Sequence, residues 1–198
     1  MEYEPTRQTK NNEAIECYDR ILEVEPKCAN AWYNKGNVLS DLGMYSEAIE
    51  CYKNALMVDS NRYNAWYKEG NAFGNLGMYN EAIECYNRFI ESNPNYADAW
   101  YNKGNALHKL GMYNEAIECY NRFIKIDPNY ADAWYNKGNV LSDLGMYSEA
   151  IAFFDMAIKR DSNRANAWYN KGVALANLGR EKNADKCFVK ARELCFKF

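Results

Sequence analysis

The 198-residue chain carries 24 Lys and Arg against 27 Asp and Glu, a formal charge of −3. That balance offers no net attraction to a phosphate backbone and argues against nucleic acid as a partner. With 48% hydrophobic and 26% charged residues the composition is that of a folded globular chain, no apolar run approaches the ~20 residues of a bilayer span, and Met1-Glu2-Tyr3-Glu4-Pro5 lacks the basic flank and apolar core of a secretion signal; a cytoplasmic protein with no membrane partner is expected.

In chain order, residues 1–10 are polar and are expected to form an irregular lead. Residues 11–28 place Ala14, Ile15, Tyr18, Ile21 and Leu22 on one helical face. No first helix precedes them to pair with that face, which reads as truncation or as a surface for self-association. Five full units follow, 29–62, 63–96, 97–130, 131–164 and 165–198. Trp32, Trp66, Trp100, Trp134 and Trp168 recur every 34 residues, and Gly36, Gly70, Gly104, Gly138 and Gly172 keep the same step. So do Gly43, Gly77, Gly111, Gly145 and Gly179, and the alanines from Ala14 to Ala184.

Within one unit, Trp100, Gly104 and Leu107 share a helical face that Gly111 terminates, and Ala116, Ile117, Tyr120, Phe123 and Ile124 form a second stripe ended by Asp127-Pro128-Asn129. Two antiparallel helices result, with Gly104 and Ala116 expected where they cross. A single pair leaves apolar surface uncovered, so the units must stack. In the last unit Asp185, Arg192 and Glu181 replace the usual Ile, Leu/Ile and Tyr, which reads as a solvating cap.

The Trp-x2-(Lys or Glu)-Gly, Leu-Gly-x-Tyr, Glu-Ala-Ile and Asp/Asn-Pro pattern resembles the tetratricopeptide repeat family over nearly the whole chain. The resemblance implies an all-α fold, a right-handed α-α superhelix of antiparallel helix pairs, and a non-catalytic scaffold for protein–protein interaction. The family usually has Leu before the first glycine; here Lys35, Glu69, Lys103, Lys137 and Lys171 stand there, a departure expected to alter surface charge more than fold.

The first-helix face opposite the Trp stripe carries Tyr33, Tyr67, Tyr101, Tyr135 and Tyr169, beside Asn37, Asn71, Asn105 and Asn139. Asn34, Asn102, Asn136 and Asn170 form an adjacent row in which Lys68 is the odd member. Asparagine both donates and accepts, so such rows suit the backbone of an extended peptide in a concave groove, with tyrosines contacting its side chains. Replacing Asn105 and Asn139 by Ala is expected to weaken such a ligand and leave stability unchanged. The family's clamp for terminal carboxylates needs cations, yet Asp98, Tyr101, Asp132 and Asn166 occupy those places, and Arg62 and Arg164 read as offset by Asp41 and Asp143. A neutral or mildly basic protein segment is the expected partner.

The rival classes have less support. His108 is the single histidine, in no catalytic constellation, and Glu84/Arg88 and Glu118/Arg122 read as exposed helix-face pairs. Cys17, Cys51, Cys85, Cys119 and Cys187 share one repeat position. Stacked helices set them roughly 10 Å apart, too far for disulfides, so buried or half-buried thiols are expected, with neither metal nor cofactor. The alternative function is a structural solenoid assembling into homo-oligomers through its ends. A single-stranded RNA reader is a third class, which the missing basic stripe disfavours.

Overall fold

The structure, a computed structural model, describes residues 7–195; residues 1–6 and 196–198 lie outside it. The described residues form eleven helices: α1 (Arg7–Val24), α2 (Ala29–Asp41), α3 (Tyr45–Val58), α4 (Tyr63–Asn75), α5 (Tyr79–Ser92), α6 (Ala97–Lys109), α7 (Tyr113–Ile126), α8 (Ala131–Asp143), α9 (Tyr147–Arg160), α10 (Ala165–Asn177) and α11 (Glu181–Cys195). The chain divides into two units, residues 1–94 and 95–198. In the first, α2 pairs with α3 and α4 with α5, while α1 packs on α2 and α3 on α4. In the second, the pairs are α6/α7, α8/α9 and α10/α11, joined by α7 on α8 and α9 on α10.

Each first helix stops for a local reason. Gly43 adopts φ +79°, the Met44 N–H donates to the Leu39 carbonyl at 2.9 Å, and the Gly43 N–H donates to that of Ser40 at 3.0 Å. These bonds satisfy carbonyls that a helix end would otherwise orphan. The other glycine series is steric. A Cβ at Gly104 would lie 3.0 Å from Tyr120 Cε1, and one at Gly138 2.7 Å from Phe154 Cε1. The residue facing Gly104 is therefore a ring of the second helix, and not Ala116 as the stripe pattern suggested. Tyr52, Tyr120, Phe123 and Phe154 are fully buried. The Trp stripe is tied to the proline turns, because Trp32 Nε1 donates to the Pro26 carbonyl and Trp134 Nε1 to that of Pro128, both at 2.9 Å.

Four expectations change. Residues 7–10 are helical, not part of an irregular lead; the rest of that expected lead, residues 1–6, lies outside the described range. α1 does not lack a partner: Ile15 packs on a cluster that includes Leu39, Ala48 and Tyr52, and Leu22 is buried. The position preceding the first glycine is no surface site, since Glu69 is only 2% exposed. Elsewhere it holds lysines bonded to the preceding second helix, Lys35 to Asp19, Lys137 to Asn121 and Lys171 to Asp155. At Glu69 the charges are exchanged, with Lys53 where Asp19 and Asp155 stand. Finally, Cys51, Cys85, Cys119 and Cys187 are buried and Cys28 half-buried, but Cys17 is exposed on α1, as is Cys195. Burial pushes the Cys51 and Cys119 thiols up to about 11 against the pull of Lys35 and Lys103. Among the described residues, no helix is long and apolar enough to cross a membrane.

Candidate peptide-binding face

In the second unit the expected asparagine rows are joined to one another. Asn136 Nδ2 donates to the Tyr101 hydroxyl and to Asn105 Oδ1, both at 3.0 Å. Asn105 Oδ1 also accepts from the Tyr120 hydroxyl at 2.7 Å. One unit further, Asn170 Nδ2 donates to the Tyr135 hydroxyl at 3.0 Å and to Asn139 Oδ1 at 2.8 Å. Phe154 stands where Tyr120 does, so Asn139 has no such tyrosine donor. The ladder thus stitches successive first helices and ties them to the second helices. Asn105→Ala with Asn139→Ala would remove rungs of it, which overturns the expectation that such a change leaves stability untouched.

The tyrosines are half-buried rather than free-standing. Tyr101 lies 5.4 Å from Phe123 and 5.5 Å from Tyr130, edge-on to the latter. Burial, then the nearby Asp132, raises its hydroxyl above the usual range. Tyr135 tilts against Phe154 at 6.0 Å. Tyr169 is the open member, 55% exposed.

In the first unit the ladder differs. The Tyr52 hydroxyl donates to Asn37 Oδ1 at 3.0 Å and the Tyr86 hydroxyl to Asn71 Oδ1 at 2.9 Å. Exposed Lys68 replaces the asparagine that would bridge Tyr33 and Asn37. Asn34 makes no hydrogen bond among the described residues. Asn102 and Tyr67 are half-buried on α6 and α4 and are engaged.

The cations are held differently from the sequence reading. Arg62 donates to Asn30 and lies 3.9 Å from Asp59, its guanidinium 5.4 Å from the Tyr33 ring centre. Arg164 pairs with Asp132 and, at 3.6 Å, Asp161, 5.6 Å from the Tyr135 ring centre. Asp41 and Asp143 are not their partners; Asp143 accepts His108 Nε2 at 2.7 Å. His108, also edge-on to Tyr113, is thereby a paired surface residue.

With the amide donors consumed by the ladder, Asn136 and Asn170 keep Oδ1 atoms that have no partner among the described residues. On α6 of the same unit Asp98 is exposed. The chemistry on offer is therefore acceptor-rich, suited to N–H donors and mild positive charge. Tyr52, Tyr86, Tyr120 and Phe154 were missed as part of this face. Their signal was legible, because each follows its asparagine by the same 15 residues. Among the described residues no group of three His, Cys, Asp or Glu is placed to hold a metal ion.

Helix pairs of constant length, stacked through a repeated ladder and punctuated by left-handed glycines, define an all-α helical-repeat scaffold. Models of the tetratricopeptide repeat match residues 29–62, 131–164 and 165–197, and a TPR repeat model matches 70–111 and 104–145. The chain belongs to the tetratricopeptide repeat family. No curated protein matches it. Among solved structures it is similar to the crystal structure of MamA, at 30% identity and a TM-score of 0.80 over 82% of this chain and 95% of that one. It is also similar to YrrB, described as a TPR protein with an unusual peptide-binding site, at 27% identity and 0.79 over 91% and 93%. MamA residues 41 to the end from Desulfovibrio magneticus RS-1, 24% identical with a TM-score of 0.81 over 84% and 94%, share the fold.

Proposed function

We propose that the chain is a non-catalytic cytoplasmic scaffold whose first-helix face binds an extended, neutral or mildly basic protein segment. In each unit the face would be lined by that unit's own rows, Tyr33, Asn34, Tyr67 and Lys68 in the first and Tyr101, Asn102, Tyr135, Asn136, Tyr169 and Asn170 in the second. The observation that carries this is the split use of Asn136 and Asn170: their amide donors tie them to the preceding repeat, while their Oδ1 atoms, one repeat apart, have no partner among the described residues. A backbone with evenly spaced N–H groups suits such acceptors, and mild positive charge suits exposed Asp98. Membership of a family that mediates protein–protein interaction supports the reading, as does the likeness to YrrB. The chemistry disfavours a terminal carboxylate, since Arg164 is already bound by Asp132 and Asp161.

The test uses positions outside the ladder. Asn34→Ala with Lys68→Glu should change the affinity of a library-selected peptide at least tenfold, about 1.4 kcal/mol, in calorimetric titration, with the melting curve unmoved. An affinity equal to that of the unsubstituted protein for every selected peptide would sink the assignment of this face.

A further inference from the structure

The interior of the array shows what its helix pairs bind. In the second unit Ala157 and Ile158 of α9 form a socket filled by Ala167 of α10, with Trp134, Tyr135 and Trp168 around it. In the first, Leu56 of α3 packs with Ala65 and Trp66 of α4. The equivalent surface of the α10/α11 pair is an open groove of about 990 Å³, floored by Tyr169, Phe188 and Ala191. Of the charged residues expected to solvate this end, Arg192 lines the groove at the repeat position of buried Leu56 and Ile158; it is exposed and has no partner among the described residues. Arg164 lines the same groove. The surface is shaped for a helix, and its free charge is positive.

Helix α1 offers the complementary surface. Its outer face is a shallow groove lined by Glu13, Glu16 and Glu25 around Cys17, Ile21 and Val24, with Arg20 the one cation. Val24 is 88% exposed and Ile21 38%. This is an acidic amphipathic helix face with its apolar residues in water. Each of the two faces lies wholly within one unit of the chain.

We propose that α1 of a second copy docks into the α10/α11 groove, its glutamates meeting Arg192 and its Ile21 and Val24 covering Tyr169, Phe188 and Ala191. The contact joins two different surfaces, so it propagates head to tail and forms a chain of copies rather than a closed dimer. It gives the alternative of assembly through the ends a defined pair of faces and does not depend on the peptide-binding reading.

The experiment is light scattering on the full chain over a concentration series at low and high salt. The mass should climb above 23.0 kDa with concentration and fall back as salt screens the contact. Glu16→Arg alone and Arg192→Glu alone should each hold the mass at one copy with unchanged circular dichroism. Mixing the two variants, or combining both changes in one chain, should restore the rise. One copy at every concentration in the unsubstituted protein would overturn the proposal, as would failure of the mixture to reassociate. It would also fall if the mass rose only after removal of residues 196–198, which would assign the groove to the chain's own end. Intact assembly with altered affinity for selected peptides would bear on the first-helix face alone.

Discussion

Glu69 provides the sharpest energetic prediction. It is 2% exposed between α3, α4 and α5, with Oε2 buried and unbonded. Burial, only partly countered by Lys53 and reinforced by Glu50, lifts its carboxyl from 4.5 to about 7. Lys53 is diverted: its Nζ lies 3.4 Å from Glu50 and 5.8 Å from the Phe73 ring centre. Because the folded-state pKa is raised, the folded protein holds this proton more tightly than the unfolded chain. The group costs nothing below about pH 4, and the cost grows as pH rises toward 7. It is complete above that, at roughly 3 kcal/mol, taking about 1.4 kcal/mol for each tenfold change in proton affinity. Glu69→Gln should therefore stay within about 0.5 kcal/mol of the unsubstituted protein at pH 4.5 and exceed it by about 2–3 kcal/mol at pH 8. The assay is urea unfolding at both pH values, with the Glu69 carboxyl followed by carbon NMR. A carboxyl titrating below pH 5, together with parallel stability curves for the two proteins, would refute the reasoning.

Gly104→Leu should cost on the order of 1–3 kcal/mol in thermal unfolding, because the new side chain meets the buried Tyr120 ring. Asn136→Ala should destabilise by a similar ~1–3 kcal/mol in urea, since it removes two hydrogen bonds and strips partners from Tyr101 and Asn105. Thiol labelling of the folded protein, diluted to one copy, should modify Cys17 and Cys195 within the time that leaves Cys51, Cys85, Cys119 and Cys187 untouched, read by mass spectrometry; equal rates at all six would contradict the burial pattern.

The repeat was legible because stacking constrains one register. Trp, Gly and Ala spacing made an all-α repeat legible, and Gly111 marked a helix end that the structure realises at φ +74°. Periodicity reports which face a residue shares but not what meets it across the stack. Hence Gly104 was paired with Ala116 although the Tyr120 ring is its near neighbour, and the bonds that Asn136 and Asn170 donate to the preceding repeat were not foreseen. Glu69 escaped notice because a row of lysines looks like solvated surface. Only the approach of the preceding helix shows that the position is enclosed. The start of α1 was set too late because residues 7–10 are polar, and a polar first turn is compatible with a helix whose apolar face begins at Ala14.

The most direct measurement of the central claim is a side-chain amide NMR titration with a library-selected extended peptide. The Asn136 and Asn170 amide signals of the second unit are expected to shift together along one binding curve, as are the Asn34 amide and Lys68 backbone signals of the first. Shifts confined to the outer faces of α5 and α7, around Arg88 and Arg122, would contradict it.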